Sequence, residues 1–352
     1  MSHKPVRFGI VGAGAIAQVY ALAFESCPLA EVVGVADPRQ EAAAALAAKL
    51  KCESFASYSA MVDGVRLDAV LISTPTNTHP DICVDFLHRG VAVLCEKPLS
   101  IDVPGAVRMV EAARTTGVKM TMASKFRFVE DVARAKHLVA SGILGEVVMV
   151  ENFFASRVDM AKRWNSDPAV SGGGVLIDNG THSVDLMRYF VGPLKEIHVV
   201  EGKRSQNLLV EETVHVFVRG SGGVLGTIDL SWCINKELES YLRIYGSEGT
   251  ISVGWKESKF LLSGSREWKV FGRGYDKVHA FRSQIDNFCK AFRGEEMLLL
   301  SLDEALASAH VIEAAYASLR QSHWVSIPLA LSESPVVIGG QPHAARPGAR
   351  RV

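Results

Sequence analysis

The sequence predicts an α/β fold in two parts: an N-terminal Rossmann-type, doubly wound parallel sheet, then a C-terminal α/β domain with an open, mostly antiparallel sheet. Three observations carry this. An apolar run ends in a Gly-rich turn that opens a helix near the start of the chain; strand-length apolar runs then alternate with helical stretches as far as Ala123; beyond Ala123, extended segments follow one another with little helix between them. A chain of 352 residues is too long for one ordinary core, and a hydrophobic share of 48% is ample for two.

Val6 to Val11 is a short apolar run leading into Gly12-Ala13-Gly14-Ala15-Ile16-Ala17, after which helical spacing continues through Tyr20, Leu22 and Phe24. Gly12 permits a tight turn, Gly14 lets the backbone approach a pyrophosphate, and small Ala17 allows the helix to pack close to the strand. The helix N-terminus, at Ala15 and Ile16, offers amides and a positive dipole end. Glu31 to Ala36 is a second strand, and Asp37 stands just past its end, where a carboxylate grips a ribose 2′-hydroxyl. The other reading of Asp37 is a cap for the helix starting near Arg39. A 2′-phosphate would sit against Asp37, so NAD is favoured over NADP; Arg39, able to stack on adenine or meet that phosphate, weighs the other way.

Strands Leu67 to Ile72, Val91 to Leu94 and Lys119 to Ala123 follow, with helices Pro80 to Arg89 and Asp102 to Thr116 between them. Ligands of such sheets lie outside the strand C-termini, so Ser73, Thr74, Pro75, Asn77 and His79 are expected along the cofactor cleft, His79 as a helix-start residue and not a base. Glu96-Lys97-Pro98 lies at another strand end. A lysine beside a carboxylate at the ligand edge is a candidate for polarising a substrate hydroxyl, with a plain surface charge as the alternative.

After Ala123 a helix from about Glu130 to Ser141 ends at Gly142. Val147 to Ala155, Ile197 to Glu201, Glu212 to Arg219, Val224 to Ser231, Ser240 to Tyr245 and Thr250 to Val253 then read as extended. In the fourth of these Val224, Gly226, Ile228 and Leu230 share one side, as in a sheet with one face in a core. The opposite face, with His215 and Phe217, is solvated surface or a subunit contact. Between the first two strands stands Gly172-Gly173-Gly174, followed by Asp178, His182 and Asp185 at i, i+4 and i+7 of a helix, a polar stripe beside apolar Ile177, Val184, Met187 and Phe190. The stripe is either the wet side of a helix or a site. For the latter, the glycines permit close approach of backbone to a ligand, and a histidine paired with an aspartate is a general base at neutral pH. No third and fourth ligand appears at a spacing that would make it a metal site. Helices Tyr275 to Arg293 and Ser301 to Ser322 close the fold and Pro328 marks its end; residues 331–352, with Gly339-Gly340, prolines and no apolar period, read as a disordered tail.

Lys plus Arg and Asp plus Glu balance at 38 each, so no net field points to nucleic acid or an anionic membrane, and the expected partner is a small molecule. The six cysteines form no C-x-x-C pair and read as reduced thiols. No run approaches the ~18 apolar residues of a membrane span and no signal core precedes Val6, so a cytoplasmic protein is expected.

In this order, G-A-G-A-I-A, Asp37, T-P-T-N-T-H, C-E-K-P-L-S and G-G-G-V-L-I-D-N-G-T-H-S-V-D-L-M-R-Y-F resemble the glucose-fructose oxidoreductase / inositol dehydrogenase (Gfo/Idh/MocA) family over roughly residues 5–328. E-K-P followed by G-G-G-x-x-x-D-x-x-x-H is the specific part. The resemblance implies an NAD(P)-dependent dehydrogenase acting on a CH–OH group of a sugar, a nucleotide-linked amino sugar or a cyclitol. It implies a Rossmann domain over 1–123, a substrate-binding and oligomerisation domain over 124–330, and homodimers or homotetramers formed through the C-terminal sheet. It also implies that Lys97 holds the reacting hydroxyl and the nicotinamide end and that Asp178 and His182 stand at the substrate. Arg127, in F-R-F, is expected to face the cleft, and Arg163-Trp164 to contact cofactor or substrate. On this reading His182 takes the hydroxyl proton, Asp178 orients His182 or a neighbouring hydroxyl, and Lys97 stabilises the developing alkoxide. The Asp-Asn-Gly-Thr-His-Ser variant is similar to members acting on nucleotide-linked amino sugars; free polyols are the other substrate class. Two further readings stand beside it: a non-catalytic dinucleotide sensor, which would tend to lose the lysine or the histidine, and a reductase of C=C or C=N bonds, which needs no Asp–His base.

Overall fold

A computed structural model describes residues 4–328, so the expected tail lies outside the described residues. The first layer is built on strands buried on both faces. β1 (Val6–Val11), β2 (Ala30–Ala36), β4 (Ala69–Ile72), β5 (Ala92–Glu96) and β6 (Met120–Ala123) are joined by a short β3 (Glu53–Phe55) in the order β3-β2-β1-β4-β5-β6, every pair parallel. Helices α1 (Ala15–Glu25), α2 (Gln40–Leu50), α3 (Tyr58–Gly64), α4 (His79–His88) and α5 (Val103–Thr116) connect them. Such strands carry continuous apolar runs because helices cover both sides of the sheet. β3 and α3 were not expected: β3 has three residues, none buried, too little for a period to register. The build direction reverses between β1 and β4, which opens a crevice at their C-terminal ends.

The second layer starts with α6 (Glu130–Ala140) and β7 (Val147–Ala155), then α7 (Pro168–Ser171) and α8 (Val175–Val191). β8 (Leu194–Glu201), β9 (Thr213–Gly220), β10 (Leu225–Ser231), β11 (Ser240–Gly246), β12 (Gly249–Gly254), β13 (Ser258–Leu262) and β14 (Lys269–Gly272) follow, before α9 (Lys277–Phe292), α10 (Leu302–Gln321) and β15 (Val325–Ser326). The sheet runs β14-β13-β12-β11-β7-β10-β9-β8-β15, antiparallel except for the β7–β10 pair. One face packs on α8 and α10, with Val150, Ile228, Leu230 and Ile244 in the core; on the other, Val200, Phe217 and Leu225 are exposed. The edge strands β13 and β14 were also unexpected, since most of their residues are partly exposed and show no clean alternation.

The strands of the two sheets divide between Ala123, where β6 ends, and Val147, where β7 begins, but the last two helices do not respect that division. α9 lies against α1 and places Phe281, Ile285, Phe288 and Cys289 in the core of the parallel-sheet layer. α10, started by a reciprocal Ser301–Glu304 capping box, puts Ala305 into the first layer and Val311, Ile312 and Ala315 into the second. The two layers are therefore sewn together by α9 and α10.

Arg127 completes that seam and corrects an expectation. It does not face the cleft: its side chain is 1% exposed and paired with Asp185, at 0%, on α8. Its Nε donates to Asp185 Oδ1 at 2.9 Å and its Nη1 to Glu304 at 2.7 Å on α10, while Ser124 also donates to Asp185. Two carboxylates can engage the guanidinium fork at once, which makes the burial tolerable. Asp185, the third member of the expected polar stripe, is thereby turned away from any ligand. Removing one partner of a buried pair costs about 3–5 kcal/mol because the other charge is stranded. Arg127→Met is thus expected to lower the urea midpoint by a corresponding amount while the folded protein keeps its affinity for NADH, checked by denaturation and fluorescence titration.

Candidate active site

The crevice between β1 and β4 is shaped by the Gly turn. Gly12 has φ +94°, and a Cβ there would lie 2.6 Å from the Ser73 carbonyl oxygen, so only glycine fits. A Cβ at Gly14 would meet nothing within 4 Å, since it would project into the open groove. Asp37 accepts the Ala13 N–H at 2.7 Å and the Arg39 N–H at 2.8 Å and is paired with the Arg39 guanidinium at 3.1 Å. Burial by itself would raise its pKa, but these bonds outweigh it and hold the carboxyl below its ordinary value. Asp37 therefore fixes the turn as an ion, and it does not cap α2, whose N-cap is Arg39. With Arg39, Ser57 and Tyr58 it lines a groove of about 950 Å³ suited to an adenosine.

Past β4, the Ser73 hydroxyl donates to the Val11 and Gly12 carbonyls, and Ser73 and Thr74 line both this groove and the adjoining cleft. Pro75 lines the groove. Two expected contacts do not materialise. Asn77 is exposed and points to neither space; Thr76 and Thr78 line them instead, because the short helical turn at 76–78 rotates its middle residue outward. His79 is buried, with its ring nitrogens 2.9 Å from the Pro98 oxygen and 3.0 Å from the Thr74 oxygen, so it ties two ligand-edge turns together and has no nitrogen left for a ligand.

The cleft proper, about 570 Å³, opens where β5 ends. Glu96 accepts the Tyr20 hydroxyl at 2.7 Å and the Lys97 N–H at 3.1 Å, and Gln284 of α9 donates to the same Tyr20 oxygen. The Lys97 ammonium crosses to α8, donating to Asp178 Oδ1 at 2.5 Å and to the Asp178 carbonyl at 2.9 Å. The N-terminus of α8 is held in place from below: Glu211 accepts the Gly174 and Leu176 N–H groups at 2.8 and 3.0 Å and the Tyr316 hydroxyl at 2.8 Å. The triple glycine serves this packing. A Cβ at Gly173 would lie 1.8 Å from the Tyr316 hydroxyl and one at Gly174 2.1 Å from the Glu211 carbonyl, so the close approach is to the protein itself and not to a ligand.

His182, one turn beyond Asp178, lines the cleft with its ring edge-on to Phe126 at 5.1 Å. Its Nδ1 is buried without a partner, and no hydrogen bond joins it to Asp178, so the expected Asp–His pair is replaced by a Lys–Asp pair beside a neutral histidine. Burial first, then the Lys97 and Lys125 ammoniums, push the imidazole pKa well below its ordinary value. Phe154 and Trp255 add an apolar wall. Beyond β7 a strap brings Arg163 and Trp164 to both the cleft and the groove; Gln206 holds it through Met160 and Val158, and Glu212 in turn holds the Gln206 N–H.

The tertiary structure thus brings Gly14, Ala15, Ile16, Ser73, Thr74, Glu96, Lys97, Arg163, Trp164, Asp178 and His182 around one cleft that runs on into the Asp37 groove. Sequence reasoning passed over Lys125, Trp255 and Lys277. Lys125 lies two residues past the end of β6 and obeys the same strand-end rule that singled out Lys97; Trp255, past the end of β12, carries no local signal.

Comparison with known proteins matches both parts of the chain to one family. The model described as the oxidoreductase family, NAD-binding Rossmann fold (GFO_IDH_MocA), matches residues 6–124, and that of the GFO/IDH/MocA C-terminal domain matches 132–252. The rhizopine catabolism protein MocA of Rhizobium meliloti is 28% identical over 88% of this chain and 93% of its own. Inositol 2-dehydrogenase of Rhizobium meliloti (strain 1021) is 25% identical over 92% and 99%. Among solved structures, the WlbA dehydrogenase from Bordetella pertussis in complex with NADH and UDP-GlcNAcA superposes with a TM-score of 0.82 at 25% identity, covering 94% of this chain and 99% of that one.

The low basicity of His182 is directly measurable. In a ring-proton NMR titration, with His182→Gln to assign the signal, His182 is expected to stay neutral between about pH 6 and 9 and to gain basicity in Lys97→Met, which removes a neighbouring positive charge.

Proposed function

This chain belongs to the GFO/IDH/MocA oxidoreductase family, and from that premise we propose how its site carries out the NAD(P)-dependent oxidoreduction of a sugar or cyclitol hydroxyl. The observation that carries the reading is the Lys97–Asp178 pair, which spans the cleft at the inner end of the dinucleotide groove with His182 beside it. Bound there, the nicotinamide supplies the hydride acceptor or donor. The open space at Gly14, the amides at the start of α1 and ionised Asp37 fit such a dinucleotide.

The substrate's secondary hydroxyl lies against the Lys97 ammonium, which stabilises negative charge on oxygen as the proton leaves. Asp178 holds that ammonium in place through its carboxylate and its carbonyl. Neutral His182 accepts the proton; the two nearby ammoniums disfavour an imidazolium, so the transfer is driven by the alkoxide's own move toward a carbonyl as its hydride departs. Trp255 and Phe154 offer a flat apolar surface to the C–H face of a ring. Asp37 would repel a 2′-phosphate, which supports NAD over NADP. Exposed Val200, Phe217 and Leu225 on the outer sheet face support assembly as a dimer or tetramer through that sheet. No helix among the described residues is long and apolar enough to cross a membrane, and with cysteines free among the described residues the cytoplasm is the proposed location.

The reading is tested by following absorbance at 340 nm with NAD and with NADP against inositols, free sugars and nucleotide-linked sugars; reduction with one alcohol class is expected, and cofactor binding without any turnover counts against it. Lys97→Met is expected to lower kcat by ~100-fold or more while NADH still binds. Near-normal turnover in that variant removes Lys97 from the mechanism. Asp37→Ala is expected to reduce the preference for NAD over NADP by roughly 10-fold, read as the ratio of kcat/KM values.

A further inference from the structure

Charge within the cleft is not balanced by the protein. Lys97, Lys125, Arg163 and Lys277 line it against two carboxylates, of which Asp178 is paired with Lys97, while Glu96 is held by two neutral donors, the Tyr20 hydroxyl and the Lys97 N–H, and attracts Lys125 only from a distance. Lys125 also lines the cleft, yet among the described residues its ammonium has no ion pair and no hydrogen bond. It sits between two aromatic faces, 5.2 Å from the Phe126 ring centre and 5.7 Å from that of Phe281. Lys125 is half-buried, and cation–π attraction of about 0.5–2 kcal/mol replaces only part of the hydration its ammonium gives up. Burial, then the like charges of Lys97 and Lys277, pull its pKa to about 8. A site that keeps such a cation gains from an incoming anion.

The cofactor is a poor source for that anion. Its pyrophosphate belongs at the Gly12–Ala15 turn, where the α1 amides point. Lys125 instead adjoins Phe126, whose ring meets His182, and lies within electrostatic reach of Lys97 and Asp178. It therefore stands at the reacting end.

We infer that Lys125 is a specificity-determining residue that receives a carboxylate of the substrate, so that the ring oxidised here is that of a sugar acid and not of a neutral sugar. The inference rests on the dehydrogenase reading and narrows its substrate class. Nothing in the redox step changes: the carboxylate is bound and unreacted.

The test compares sugar pairs that differ only in a hydroxymethyl or a carboxylate at one carbon, glucose with glucuronate and galactose with galacturonate, free and linked to UDP. Wild type and Lys125→Met are assayed with NAD, the same compounds are titrated calorimetrically into the enzyme–NADH complex, and NADH affinity is measured separately. Wild type is expected to prefer the acid of a pair. In Lys125→Met the acid-over-neutral ratio of kcat/KM, or of affinity where turnover is absent, is expected to fall at least about 30-fold, as for truncating one partner of a desolvated charge pair. Thermal melting checks the fold of the variant, which loses an unpaired charge and its attraction to the Phe126 and Phe281 rings. The inference is overturned by a wild-type preference for the neutral member, by equal loss with both members, by a loss confined to NADH affinity, or by binding of neither member of any pair. Turnover of neutral sugars without preference for acids overturns the role of Lys125 and leaves the dehydrogenase reading standing, whereas an NADH-binding protein that oxidises no alcohol overturns that reading itself.

Discussion

One ion pair, from the Lys97 ammonium to Asp178, joins the ligand edge of the parallel sheet to the helix that carries the polar half of the site. Neither partner is free to wander. Lys97 follows a strand end whose Glu96 is locked to Tyr20, and Asp178 sits in the first turn of a helix whose N-terminal amides are held by Glu211. The helix dipole favours a carboxylate at that end, and the ammonium receives two oxygen acceptors from a single residue. Everything that makes the cleft a site, from the mouth of the dinucleotide groove to His182, is arranged about this bridge.

A bridge of this kind works only if the two layers it connects keep their distance, and that is the work of buried groups outside the cleft lining. Arg127 gathers Asp185 and Glu304 from two helices into one desolvated cluster, and α9 and α10 carry apolar side chains into the first layer. The same helix α8 thus has two polar ends with opposite fates. Asp178 and His182 look into the cleft, whereas Asp185, almost two turns on, is consumed in holding the helix where it is.

The electrostatics divide the chemistry. A histidine next to two ammoniums is kept neutral, so it can receive a proton but holds it poorly, and the stabilisation of negative oxygen falls to Lys97. Hence the Asp–His pairing suggested by i, i+4 spacing did not form: Asp178 gains more from an ammonium across the cleft than from an uncharged ring on its own helix.

The parallel layer was legible because continuous apolar runs, Gly turns and strand-end polar residues are local signals, and these pointed to Gly12, Asp37, Glu96 and Lys97. What failed were features without a local signature, such as the three-residue β3, the half-exposed edge strands β13 and β14, and the outward rotation of Asn77. The sequence by itself determined the alternation of the longer strands and helices and the residue types at the ligand edge, since both follow from side-chain period and backbone stereochemistry. Only the tertiary structure decided that Arg127 is buried, that the triple glycine packs on Tyr316 and Glu211, and that Lys125 stands unpaired beside His182. Those outcomes depend on which charge finds which partner across tens to hundreds of residues, and a desolvated charge takes the partner that the packed layers bring to it.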